Sequence, residues 1–154
     1  IMEVMKLSRF YNTVLILFLL VACHNKNEVY DSEGNLRYRI DKDDSTAVVY
    51  SKNGQTYMSG KFINQKKAGI WTEYLAKSND KIFEWTYVND KKEGLFRGYT
   101  MTGKIQTIGY YREDKLDSVL VYFNLEGRPK KVEVWKADPN TEGTSDLIFS
   151  KDIE

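Results

Sequence analysis

The chain has 154 residues, with 23 basic and 22 acidic side chains, one histidine and one cysteine. That length holds a single domain, the near-neutral balance offers no basic stripe for nucleic acid or anionic lipid, and one cysteine excludes an intrachain disulfide. With one histidine and one cysteine there is also no zinc cluster and no nucleophile flanked by a base. The expectation is a protein without cofactor or metal that is not an enzyme.

Lys6 and Arg9 precede an apolar run from Val14 to Ala22 that ends at Cys23. The run falls well short of the ~18 residues that span a bilayer, so residues 1–22 read as a secretory signal, with Met5 as its natural start. Leu20-Val21-Ala22-Cys23 resembles the lipobox of bacterial lipoproteins. The resemblance implies cleavage between Ala22 and Cys23 and a lipid on Cys23, as a diacylglycerol thioether plus an amide-linked chain such as palmitate. It places the protein at the bacterial cell envelope, lipid-anchored on the periplasmic or surface side of a membrane. Loss of residues 1–22 removes Lys6, Arg9 and Glu3 and leaves a formal charge of zero. Residues 23–29 read as the lipidated cysteine and a polar tether, with His24 solvated in it.

A folded unit is expected over residues 30–154. From Tyr50 aromatics return every 12 or 13 residues, at Phe62, Tyr74, Tyr87, Tyr99, Tyr111, Phe123 and Trp135, with a weaker first copy opening at Tyr30. Four residues after Tyr30, Tyr50, Tyr99 and Phe123 stands a glycine, as a tight hairpin turn requires. The copy at Tyr74 instead has Lys77-Ser78-Asn79-Asp80, whose Asn and Asp tolerate the left-handed region. A second turn is expected over Asn64 to Gly69, Asn89 to Gly94 and Glu113 to Ser118. In the last of these serine replaces glycine, so that hairpin should be strained.

Between turns the residues alternate and favour strand, as in Phe83, Trp85 and Tyr87 against Ile82, Glu84 and Thr86. The return strands at Ile70–Tyr74, Leu95–Tyr99 and Val119–Phe123 carry apolar side chains on both faces, which calls for cover on both sides. Leu147-Ile148-Phe149 reads as a last strand capping the open edge.

Gly60-Lys61-Phe62, Gly69-Ile70-Trp71 and Tyr74, then Tyr87, Gly94-Leu95-Phe96 and Tyr99, resemble the MORN-repeat variant of bacterial proteins, some of which carry an antitoxin label. The resemblance covers residues 30 to 135. It implies an all-β fold, an elongated and curled antiparallel meander of stacked β-hairpins, used for binding and not for chemistry.

Asp41, Asp43 and Asp44 lack the turn glycine and distal acid of a calcium loop and read as a solvated acidic turn. Trp71, Trp85, Tyr99, Tyr110, Tyr111 and Tyr122 are candidates for a binding platform, weighed against a plain role in the core. Tyr110 and Tyr122 fall off the aromatic beat and are the better surface candidates, with Trp71 and Tyr99 beside them. Trp85 stands where neighbouring copies have Gly60 and Gly109, and is expected to wedge over both glycines. The expected function is a non-enzymatic envelope lipoprotein that binds a protein partner or serves as a structural module. An antitoxin or immunity protein that neutralises one cognate partner is the first alternative, and a carbohydrate-binding or carbohydrate-processing protein the second.

Overall fold

The computed structural model describes residues 26–140 and 144–153; the apolar run, Ala22, Cys23 and His24 lie outside the described residues. Eleven strands form one antiparallel sheet in sequence order: β1 (Lys26–Tyr30), β2 (Leu36–Asp41), β3 (Thr46–Tyr50), β4 (Thr56–Ile63), β5 (Lys66–Tyr74), β6 (Lys81–Val88), β7 (Lys91–Tyr99), β8 (Ile105–Arg112), β9 (Lys115–Phe123), β10 (Pro129–Ala137) and β11 (Ser145–Asp152). The fold is therefore all-β, a meander of stacked hairpins, and no helix occurs among the described residues. β1 occupies most of the stretch expected to be a tether. It pairs with β2 from Lys26 opposite Asp41 to Tyr30 opposite Leu36, and its polar side chains suit an edge strand.

Two kinds of connection alternate. Asn64-Gln65, Asn89-Asp90 and Glu113-Asp114 are two-residue turns with positive φ at both positions, the type I′ geometry that matches the twist of paired strands. The loops after β1, β3, β7 and β9 each close with a glycine at positive φ, and the amides of Gly34, Gly54, Gly103 and Gly127 donate to the carbonyls of Asp31, Ser51, Thr100 and Asn124. In the longer loop after β5, Asn79 (φ 60°) donates to the Leu75 carbonyl and takes the glycine's part.

Gly69, Gly94 and Ser118 are not turn residues as the sequence suggested. They lie inside β5, β7 and β9, where the pairing slips: Ser59 opposes Thr72 but Lys61 opposes Ala68, Trp85 opposes Phe96 but Tyr87 opposes Lys92, and Ile108 opposes Val121 but Tyr110 opposes Asp117. Each is a bulge residue in the left-handed region, with φ of 69°, 114° and 65°.

The sheet is open and uncurled, with β1 and β11 as its edges, in place of the expected curl. Cover comes instead from large side chains lying flat over small ones on the neighbouring strand. A Cβ on Gly60 would come to 2.3 Å from the Trp71 ring, and one on Gly109 to 2.4 Å from Phe96. The aromatics over the two glycines are thus Trp71 and Phe96, and Trp85 does not wedge over either; it pairs with Trp71 on one side and Phe96 on the other. Ala47, Met58, Trp71 and Tyr87 form the buried cluster, and Trp71 is wholly buried.

Candidate functional site

Strand alternation and the register separate two faces. Trp71, Trp85, Phe96, Tyr111 and Glu133 share one, the aromatic face; Leu95, Ile108, Tyr110, Val121 and Val134 share the other, the aliphatic face.

On the aromatic face the centre is closed and the N-terminal end is open. Phe62 meets Trp71 edge-on at 5.1 Å, and Trp71 meets Tyr87 at 6.3 Å. Lys67 lies across both rings, its Nζ 4.8 Å from Trp71 and 5.0 Å from Tyr87, so its stem covers apolar surface while the charge stays at the rim. One repeat further on, Trp85 stacks on Phe96 at 5.2 Å and Lys92 Nζ sits 3.6 Å over the Trp85 ring. Trp85 Nε1 donates to Glu73 Oε2 at 3.0 Å. Burial, followed by the charges of Asp114 and Glu73, pushes the Tyr87 hydroxyl up to about 12. Burial pulls Lys92 below the usual lysine range against the pull of Glu73 and Asp114.

Toward β1 the same face opens into a basin of about 870 Å³. Val29, Tyr38, Ile40, Val49, Met58 and Phe62 line it, with Lys42, Asn64, Gln65 and Lys67 also on its wall. Tyr57 stands in its wall and is 43% exposed, and Val29 and Tyr38 are similarly open. Burial and then the Glu73 carboxylate raise the Tyr57 hydroxyl, so it enters as a neutral hydrogen-bonding group at neutral pH. The basin presents apolar and aromatic surface with a few polar groups, the usual make-up of a binding site. Among the described residues no three metal-ligating side chains converge.

No protein-family model matches the chain, and no curated protein matches it. Among solved structures, a mutant of S. aureus TarM in complex with fondaparinux, alpha-GlcNAc-glycerol and UDP aligns over 89% of this chain at 13% identity, with a TM-score of 0.30. The chain spans 22% of that protein's length. A likeness at that level assigns no activity.

The four side chains singled out from the sequence do not form one platform. Trp71 is the most buried side chain of the core and presents no surface. Tyr99 lies on the aliphatic face, donating its hydroxyl to Glu84 Oε2 at 2.5 Å under the Lys81 ammonium, 4.1 Å from the ring centre. Burial raises the Glu84 carboxyl, but the hydrogen bonds from Lys81 and Tyr99 and the nearby Arg97 outweigh it and hold the group below the usual range. Tyr122 lies on the aromatic face and donates to Glu133 Oε2 at 3.1 Å, as does Trp135 Nε1. Glu133 is nearly buried and is held below the usual carboxylate range by Lys131 first, against the opposing effect of burial. Tyr110 alone adjoins open apolar surface, a groove of about 350 Å³ that Leu95, Ile108, Val119 and Val121 also line.

The basin is not legible from spacing because its residues come from five strands, the first of which is polar ahead of Val29 and Tyr30. The alternation of Tyr38 with Ile40 and of Val49 with Met58 across the hairpin was the available signal, and only the register joins them.

Proposed function

We propose that the chain is a non-enzymatic binding module, held at the bacterial envelope by a lipid on Cys23, and that the basin beside β1 receives an apolar segment of a protein partner. The observation that carries this reading is the open basin itself. A sheet that covers Trp71 completely with neighbouring side chains leaves Val29, Tyr38 and Tyr57 uncovered together at one end. Exposed aromatic and aliphatic surface gathered in a concavity is costly in water and marks a place where a partner seats. The hairpin stacking agrees with the MORN-like pattern of aromatics and glycines, and the lipobox at Cys23 lies three residues ahead of β1, which would keep the basin within ~10 Å of chain from the anchor.

Two measurements test it in intact cells. A fatty-acid probe should label the protein, and Cys23→Ser should abolish the label. A photo-crosslinking residue at position 57 should give a discrete protein adduct that the same residue at position 77, on an exposed loop, does not. Label retained in Cys23→Ser removes the anchor from the proposal, and equal adducts from both positions remove the basin.

A further inference from the structure

The geometry points to β11 as a dimerisation edge: two copies of the chain pair antiparallel through β11 about a twofold axis, continuing the sheet from one copy into the other. The two edges of the sheet are unlike. In β1 the polar Asn27 and Glu28, of the kind that keep an edge unpaired, precede the exposed Val29 and Tyr30, whose surface belongs to the basin end of the sheet. β11 carries Leu147, Ile148 and Phe149, which are 48%, 60% and 50% exposed.

The bulge in β11 supplies the decisive phase. Val134 opposes Phe149 but Trp135 opposes Leu147, so Ile148 is an extra residue. In a regular strand Asp146 and Lys151, five positions apart, would point to opposite faces. The bulge brings both onto the aliphatic face, opposite Lys136 and Val132, and brings Leu147 and Ser150 together onto the aromatic face, opposite Trp135 and Glu133. Opposed residues in an antiparallel pair share a face. A twofold pairing that sets Asp146 against Lys151 of the second copy therefore also sets Leu147 against Ser150 and Ser145 against Asp152, with every face matched.

The hydrogen-bonding phase agrees. The Ile153 amide donates inward to the Lys130 carbonyl at 2.7 Å. Alternation then turns Lys151 inward and Asp152 and Ser150 outward. Carried along β10 to Lys136, the same alternation turns Asp146 inward and Leu147 and Ser145 outward. The outward groups are those that the twofold register opposes. Asp146 and Lys151 are both exposed, and neither has an ion-pair partner within the described residues. Across the seam each would face the opposite charge, so the Asp146–Lys151 pair would form twice, once on either side of the axis. The partner is a second copy because β11 is complementary to itself in face, hydrogen-bonding phase and charge.

The test is a charge exchange on the full chain in detergent, read by sedimentation equilibrium. The wild type is expected to show a weak dimer, since one strand pair is a small interface. Asp146→Lys sets lysine against Lys151, and Lys151→Asp sets aspartate against Asp146; each should raise the dimer dissociation constant about tenfold or more. The double exchange Asp146→Lys with Lys151→Asp should restore it, while circular dichroism stays unchanged in all three. A wild type that stays monomeric at the highest concentration overturns the proposal. So does a dimer indifferent to the single changes, or one that the double exchange fails to restore.

Discussion

Ser118 holds a conformation that its two counterparts reach with glycine. Its φ of 65° lies in the left-handed region, where a Cβ costs about 1 to 2 kcal/mol. Its hydroxyl recovers little, meeting among the described residues only Asp117 Oδ2 at 3.5 Å. Ser118→Gly is expected to stabilise the fold by about 0.5 to 1 kcal/mol, the relief of strain less the greater freedom of glycine in the unfolded chain. Urea melts of the two proteins measure it, and an unchanged or lower midpoint at equal slope would show that the bulge is unstrained. The serine was legible as an anomaly because its place in the repeat was legible. Trp85 was misjudged for the opposite reason. Trp85 does share its slot with Gly60 and Gly109, but which ring reaches a glycine depends on the register: Trp71 lies over Gly60 diagonally across the β4–β5 bulge, and Phe96 stands directly opposite Gly109 in the β7–β8 pairing.

Hairpins are fastened to one another at their tips as well as along their strands. The carboxylate of Asp90 accepts from the Lys67 amide at 2.7 Å while the Asp90 amide donates to the Lys67 carbonyl. Asp114 and Lys92 repeat both bonds one hairpin later. The second residue of the later two type I′ turns thereby locks onto the return strand of the preceding hairpin, at the lysine that covers the aromatic row. Asp114→Ala is expected to cost about 1 to 2 kcal/mol, the loss of a charge-assisted bond, and to speed hydrogen exchange at the Lys92 amide far more than at amides of β3. An equal change at both places would mean global loosening and no local staple. Of this element-scale order, the aromatic beat was visible in the sequence, yet it proves to be two beats of about double length. Tyr74 and Tyr99 end return strands on the aliphatic face, where they meet Ser59 and Glu84, and Tyr87 and Tyr111 lie on the aromatic face. A spacing alone carries no face: the one-residue slips at Glu73/Tyr74 and Gly98/Tyr99 reverse the alternation, while the two-residue slips at Gly69, Gly94 and Ser118 keep it.

Strands packed almost wholly against their sequence neighbours make the molecule close to one-dimensional, so stability is a chain of adjacent interfaces with no second layer to average over them. The interfaces are unequal. Trp71 joins β4 to β6 by lying on Gly60, meeting Phe62 and Tyr87, and donating from Nε1 to the Lys61 carbonyl at 3.2 Å. Phe96 does the same work between β6 and β8 with Trp85 and Tyr111 as its neighbours. Removing the Trp71 ring leaves Gly60 and Ala47 bare. Trp71→Ala should cost about 3 to 5 kcal/mol, and the loss should be local: amides of β2 to β5 exchange much faster while those of β8 to β10, whose contacts pass through Phe96 and Leu120, keep most of their protection. Hydrogen exchange resolved by strand measures this directly. A uniform fall from β2 to β10 would mean that the sheet unfolds as one unit, and that the Trp71 and Phe96 clusters are a single cooperative core joined through Trp85.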